Sequence, residues 1–136
     1  MMFAIKAEVR DPEAVSWAFP KAKTMYDGKR ISKGDQIFVI ASENEGGPGL
    51  VARGVVTSAE TIPRVTGIAR QTPLVSITVG RSAIARRRLG RNELKLWNDW
   101  EDGRPESELN FKLYRQATNK IVGISNEAAS FLRGFF

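Results

Sequence analysis

Lys33-Gly-Asp-Gln-Ile-Phe-Val-Ile-Ala-Ser42, a glycine-rich turn, and then Leu50-Val-Ala-Arg-Gly-Val-Val56 form the stretch that decides the fold. Two apolar, β-branched runs joined by Gly46, Gly47, Pro48 and Gly49 predict a β-hairpin, with Gly34-Asp35 as the turn into its first strand. The strands should cover residues 36–41 and 50–59. The glycine-rich turn lacks the Gly-Lys-Ser/Thr ending of a phosphate loop and leads into a strand, so it is read as a turn.

Before the hairpin, Phe3, Ile5, Ala7 and Val9 alternate with Ala4, Lys6, Glu8 and Arg10, the period of a half-buried strand. Asp11 followed by Pro12 and Glu13 predicts a short helix over residues 12–18, ended by Pro20, and residues 21–33 then read as a basic loop. After the hairpin, Pro63 and Gly67 interrupt the pattern, and Pro73 opens a strand over residues 74–79 that Gly80 should end. An arginine-rich segment spans residues 82–91. A short helix or extended turn is expected over 92–97, and an exposed acidic loop over 98–108. Residues 120–124 predict a last strand. Ser125 can N-cap a terminal helix that carries Ala128, Phe131, Leu132 and Phe135 on one face. This order predicts an α+β fold: a small, mixed, mainly antiparallel β-barrel with peripheral helices, plugged by its C-terminal helix. A chain of 136 residues is expected to form a single domain over 1–136.

The chain contains no Cys and no His. Disulfides, thiolate or His-ligated metal sites and His-based catalysis are therefore excluded, and no cofactor is expected. The net charge of +6 and the pI near 10.0 favour polyanionic partners, although ordinary surface charge accounts for them equally well. No stretch approaches the ~20 apolar residues that span a bilayer, so a soluble, cytoplasmic protein without a membrane partner is expected. Nothing in the sequence sets an oligomeric state.

The Lys33-Gly34-Asp35 turn, the strand, the loop and the return strand with its small residue and Gly resemble the central motif of the PUA-like superfamily. These are small barrels whose EVE, YTH and ASCH branches include binders of nucleic acid or of a modified base. The closing Ile124-Ser-Asn-Glu-Ala-Ala-Ser-Phe-Leu-Arg-Gly-Phe-Phe136 resembles the terminal helix of EVE-like proteins. Two departures matter. The region 21–30 lacks the Glu-x-Arg pair of ASCH domains, and the first Trp is Trp17 rather than one directly after the opening residues as in EVE domains. The resemblance is thus to an EVE-like or PUA-like domain. It implies a nucleic-acid-binding module for DNA or RNA, with an ASCH-type hydrolase or a protein-interaction domain as alternatives.

In that resemblance the base slot lies between the hairpin strands and the loops on one side of the barrel, which points to Trp17, Ser42, Asn44 and Trp97. Tyr26 and Trp100 join them as aromatics beside cations, the combination on which bases stack while phosphates are held. Lys21, Lys23 and Arg53 are candidate phosphate contacts, as are Arg86, Arg87 and Arg88 within a block of five arginines in eleven residues, Arg81 to Arg91. Each candidate has a plainer reading. Trp17 would serve equally as a core residue, Trp97 and Trp100 would share one helical face, and Ser42 and Asn44 would bond within their turn. The arginines would then balance the acidic loop. Hydrolysis would need a lysine such as Lys33 or Lys112 with an acid such as Glu43 or Glu45, which should face one side of a strand end.

Overall fold

The computed structural model describes residues 2–116 and 118–136. Its strands are β1 (Met2–Ala7), β2 (Ser16–Met25), β3 (Gln36–Ala41), β4 (Gly49–Thr61), β5 (Leu74–Ile84) and β6 (Lys120–Ile124). Its helices are α1 (Arg91–Leu94), α2 (Pro105–Tyr114) and α3 (Asn126–Arg133). The strands close into a barrel in the order β1-β3-β4-β5-β2-β6, with β1 parallel to β3 and β2 parallel to β6.

The hairpin forms as its sequence predicts. Gly34 adopts φ +95°, and the turn is pinned to β4 by Gly34 N–H to Val56 O and Val56 N–H to Asp35 O, both 2.8 Å. The Asp35 carboxylate also accepts the Ser32 N–H at 2.8 Å, closing a local turn. Gly54 is required by proximity, because a Cβ there would lie 2.2 Å from the Gly80 carbonyl oxygen of the neighbouring strand. Gly80 does not end β5, which continues to Ile84.

The predicted helix over 12–18 is replaced by a turn and β2. Asp11 accepts the Glu13 N–H at 3.0 Å as a turn residue, and from Ser16 onward the side chains alternate outward and inward. Trp17 and Phe19 point inward, then Ala22 and Thr24, with the parity shifted by an irregularity between Phe19 and Ala22 that accommodates Pro20. Lys21 and Lys23, expected in a loop, are therefore exposed strand residues.

Two apolar clusters lie on opposite sides of the barrel wall. Phe3, Ile5, Trp17, Phe19, Ile37, Val39, Ile77 and Ile121 fill the interior. Ala4, Phe38, Ile40, Leu50 and Val122 face outward and are covered by Leu94 of α1, Leu109 and Leu113 of α2, and Ala128 and Leu132 of α3. The terminal helix, expected as a plug, instead packs on the outer wall. β1 is consequently buried on both faces rather than half-buried. Ser125 caps α3 by accepting the Ala128 N–H at 3.1 Å. Residues 105–108 of the expected acidic loop belong to α2, with Pro105 in its first turn and Glu106 and Glu108 at its positive end.

Candidate nucleic-acid interface

Helix α2 carries the aromatic part of the site. Phe111 lies between Tyr26 and Trp100, with ring centroids 5.5 Å and 5.3 Å away, and the Trp100 pair is edge-on. The Arg115 guanidinium sits 4.6 Å from both the Trp100 and Phe111 rings, and the Lys112 ammonium lies 5.8 Å from Tyr26. Trp100 is 45% exposed, so this ladder presents an indole already paired with a cation. Trp97 is half-buried against the outer core, with Arg104 5.4 Å from its ring. The two tryptophans lie after the short α1 and do not share a helical face.

The other proposed stacking residue is spent on the core. Trp17 is 9% exposed inside the barrel, and its indole N–H donates to Asp11 O at 2.8 Å.

At one end of the barrel the hairpin loop meets a polar cluster. Glu43 accepts the Tyr114 hydroxyl at 3.1 Å and the Arg91 backbone N–H at 2.5 Å, while the Arg91 guanidinium donates to Asn44. Burial and the neighbouring Glu43 charge push the Tyr114 phenol far above its ordinary pKa, so it remains a donor. Ser42 is fully buried, and its backbone oxygen accepts the Glu45 and Gly47 N–H groups at 3.0 and 2.9 Å while its hydroxyl has no partner. Glu43 and Glu45 occupy a 3-10 turn, where Glu43 engages Tyr114 and Glu45 stays exposed, so the acid pair expected on one side of a strand does not form.

Among the described residues, no arginine of the block forms an ion pair with the acidic loop. Arg86 Nε donates to Phe136 O at 2.7 Å, and Arg87 donates to Gly134 O at 2.6 Å while lying over the Phe135 ring. Arg88 pairs with Glu93 at 3.7 Å, and Arg81 holds the backbone carbonyls of Glu13 and Ala14. Arg86, Arg87 and Arg88 still line one wall of a 330 Å³ cleft whose other walls include Pro12, Pro48 and Ile84. Arg88 continues into a second cleft with Arg91 and Glu43. Tyr114, which reaches Glu43, is the last residue of α2, and Arg115 follows it as the C-cap.

Lys33 is exposed, and Lys112 is committed to Glu108 at 3.0 Å and Gly123 O at 2.8 Å. Burial alone would raise the Glu108 pKa, but its hydrogen bonds from Ser125 and the Lys112 contact prevail and lower it. Two further lysines are unusual. Lys6 and Lys120 are register partners on β1 and β6, both buried, and donate to Leu113 O and Gln116 O at the C-terminal end of α2. Burial lowers the Lys6 pKa, with Glu43 opposing and Arg91 adding to the shift. Burial, then the adjacent Lys6 charge, lowers Lys120 from 10.5 to about 8. Their partners are helix-end carbonyls, where cations are favoured, and they cap α2 from below. Among the described residues no cluster of acids could hold a metal ion.

No protein-family model and no curated protein matches the sequence. Solved structures do match. The DUF55 domain of human thymocyte nuclear protein 1 aligns over 98% of this chain and 97% of its own, at TM-score 0.66 and 13% identity. Human THYN1 in complex with 5-methylcytosine-containing DNA aligns over 98% and 95%, at TM-score 0.67 and 12% identity. A protein from Pseudomonas putida aligns over 99% of both chains, at TM-score 0.63 and 13% identity. The barrel has the fold of a DUF55 domain. The small mixed barrel with peripheral helices expected from the Lys33-Gly34-Asp35 hairpin and the closing helix is the fold observed.

Proposed function

We propose that residues 1–136 act as one nucleic-acid-binding module that stacks a base, in particular a modified base, on the ladder of Tyr26, Phe111 and Trp100. The arginine track from Arg86 to Arg91 then holds phosphates. The observation that carries this reading is the placement of Arg115, at the C-cap of α2, over both Trp100 and Phe111, which joins a part-exposed indole to a cation. The fold shared with a domain crystallised with 5-methylcytosine-containing DNA supports a modified cytosine as the first base to try. Base contacts would supply discrimination and guanidiniums the sequence-independent affinity. Among the described residues no helix is long and apolar enough to cross a membrane. With no Cys the fold needs no oxidising compartment, and we place the activity in the cytoplasm.

Fluorescence anisotropy with single-stranded and duplex DNA and RNA, carrying cytosine or 5-methylcytosine, at several salt concentrations, tests the proposal. Salt-dependent binding that is tighter for a methylated oligonucleotide is expected. Absence of salt-dependent binding to every oligonucleotide overturns it.

A further inference from the structure

Arg53 is a candidate phosphate contact that lines a pocket on the barrel wall and has a buried, unpartnered nitrogen. It sits on β4 opposite Phe38 of β3 and Ala83 of β5, and its guanidinium lies 5.5 Å from the Phe136 ring. The 210 Å³ pocket at its edge is lined by Met2, Gln36, Phe38, Val55 and Ser82, with no carboxylate among its walls. The Arg53 Nε is buried without a hydrogen-bond partner, and among the described residues no acid lies within ion-pair distance of the group.

A buried guanidinium donor without an acceptor costs free energy that an external acceptor recovers, and charge-assisted bonds to arginine are the strongest available. Gln36 and Ser82 add neutral donors, and Arg133, which touches Met2 at 3.8 Å, adds a second cation at the pocket edge. The planar fork of arginine matches an oxyanion with several acceptor oxygens. We propose that this pocket binds a phosphate group, held by Arg53 and oriented by Gln36 and Ser82. Its use as a backbone contact rests on the nucleic-acid reading; the oxyanion site itself does not.

Two arms test this. In the first, inorganic phosphate is titrated into the whole protein while the arginine Nε–H resonances are followed by NMR, with the Arg53 signal assigned by its loss in Arg53→Lys. A saturable shift of that signal, ahead of those of the exposed arginines, is expected. Movement in parallel with all other arginines, or none, overturns the site. In the second, Arg53→Gln is compared with wild type in oligonucleotide binding across salt. A salt slope reduced by about one with base preference retained identifies a backbone phosphate. A phosphate shift with an unchanged slope assigns the pocket to a free phosphate instead. If no oligonucleotide binds at all, the functional reading fails while the phosphate titration still decides this pocket. Circular dichroism of Arg53→Lys and Arg53→Gln confirms that both variants fold.

Discussion

Trp17 and Trp100 occupy opposite kinds of surroundings on the same scaffold. Trp17 is sealed inside the barrel among Phe3, Phe19 and Val79, and even its indole N–H is consumed by a backbone carbonyl. Trp100 stands outside α2, almost half exposed, edge-on to Phe111 and beneath Arg115. Ring chemistry is identical in the two places. What differs is whether the neighbours close over the ring or leave a face open, and only an open face can stack on a base.

The largest expected effect comes from breaking the closed side. Trp17→Ala leaves a cavity in the barrel interior and should cost roughly 3 to 5 kcal/mol in chemical denaturation. Nucleic-acid binding should disappear only as far as the fold does. A Trp17→Ala protein with wild-type stability would remove Trp17 from the core and return it to the list of stacking residues.

Lys120 sharpens the contrast from the wall between the two regions. Its ammonium is disfavoured in the folded state, so it costs stability wherever it is protonated there. That cost is relieved as pH rises through about 8 and is gone above the ordinary value of 10.5. Melting temperature should therefore rise between about pH 7 and about pH 10, and Lys120→Met should flatten the rise. An unchanged slope in the variant would place the titration elsewhere.

The smallest effect concerns the arginine track. Arg86→Gln gives up one bond to the C-terminal segment, Phe136 O, and should cost about 1 kcal/mol of stability. If Arg86 also touches a phosphate, the salt slope falls by about one while base preference survives. Loss of base preference in this variant would mean that the track and the ladder act as one surface.

The hairpin, the Gly34-Asp35 turn, β6 and the Ser125 cap were legible because each rests on local chemistry: apolar runs, a positive-φ glycine and an N-cap. The helix expected over 12–18 failed because Asp11-Pro12-Glu13 suits a turn as well as a helix start. The alternation that follows was disguised by the parity shift at Pro20. Helix α2 was hidden by the opposite ambiguity. Gly103 and Pro105 read as a loop, although Pro in the first turn followed by Leu109 and Leu113 four residues apart is also a helical signal. Missing α2 concealed Phe111, Tyr114 and Arg115, and with them the way Tyr26 and Trp100 come together. Lys6 was assigned to a solvent face because alternation in one strand cannot reveal that helices cover the outer wall.

The most direct test of the account is Trp100→Ala, titrated with methylated and unmethylated oligonucleotides across a range of salt, with folding checked by circular dichroism. The account predicts a folded protein that loses roughly 1 to 3 kcal/mol of affinity for the preferred oligonucleotide, together with its preference for the modified base, while keeping the wild-type salt slope. A folded Trp100→Ala protein with unchanged affinity and unchanged preference would contradict it.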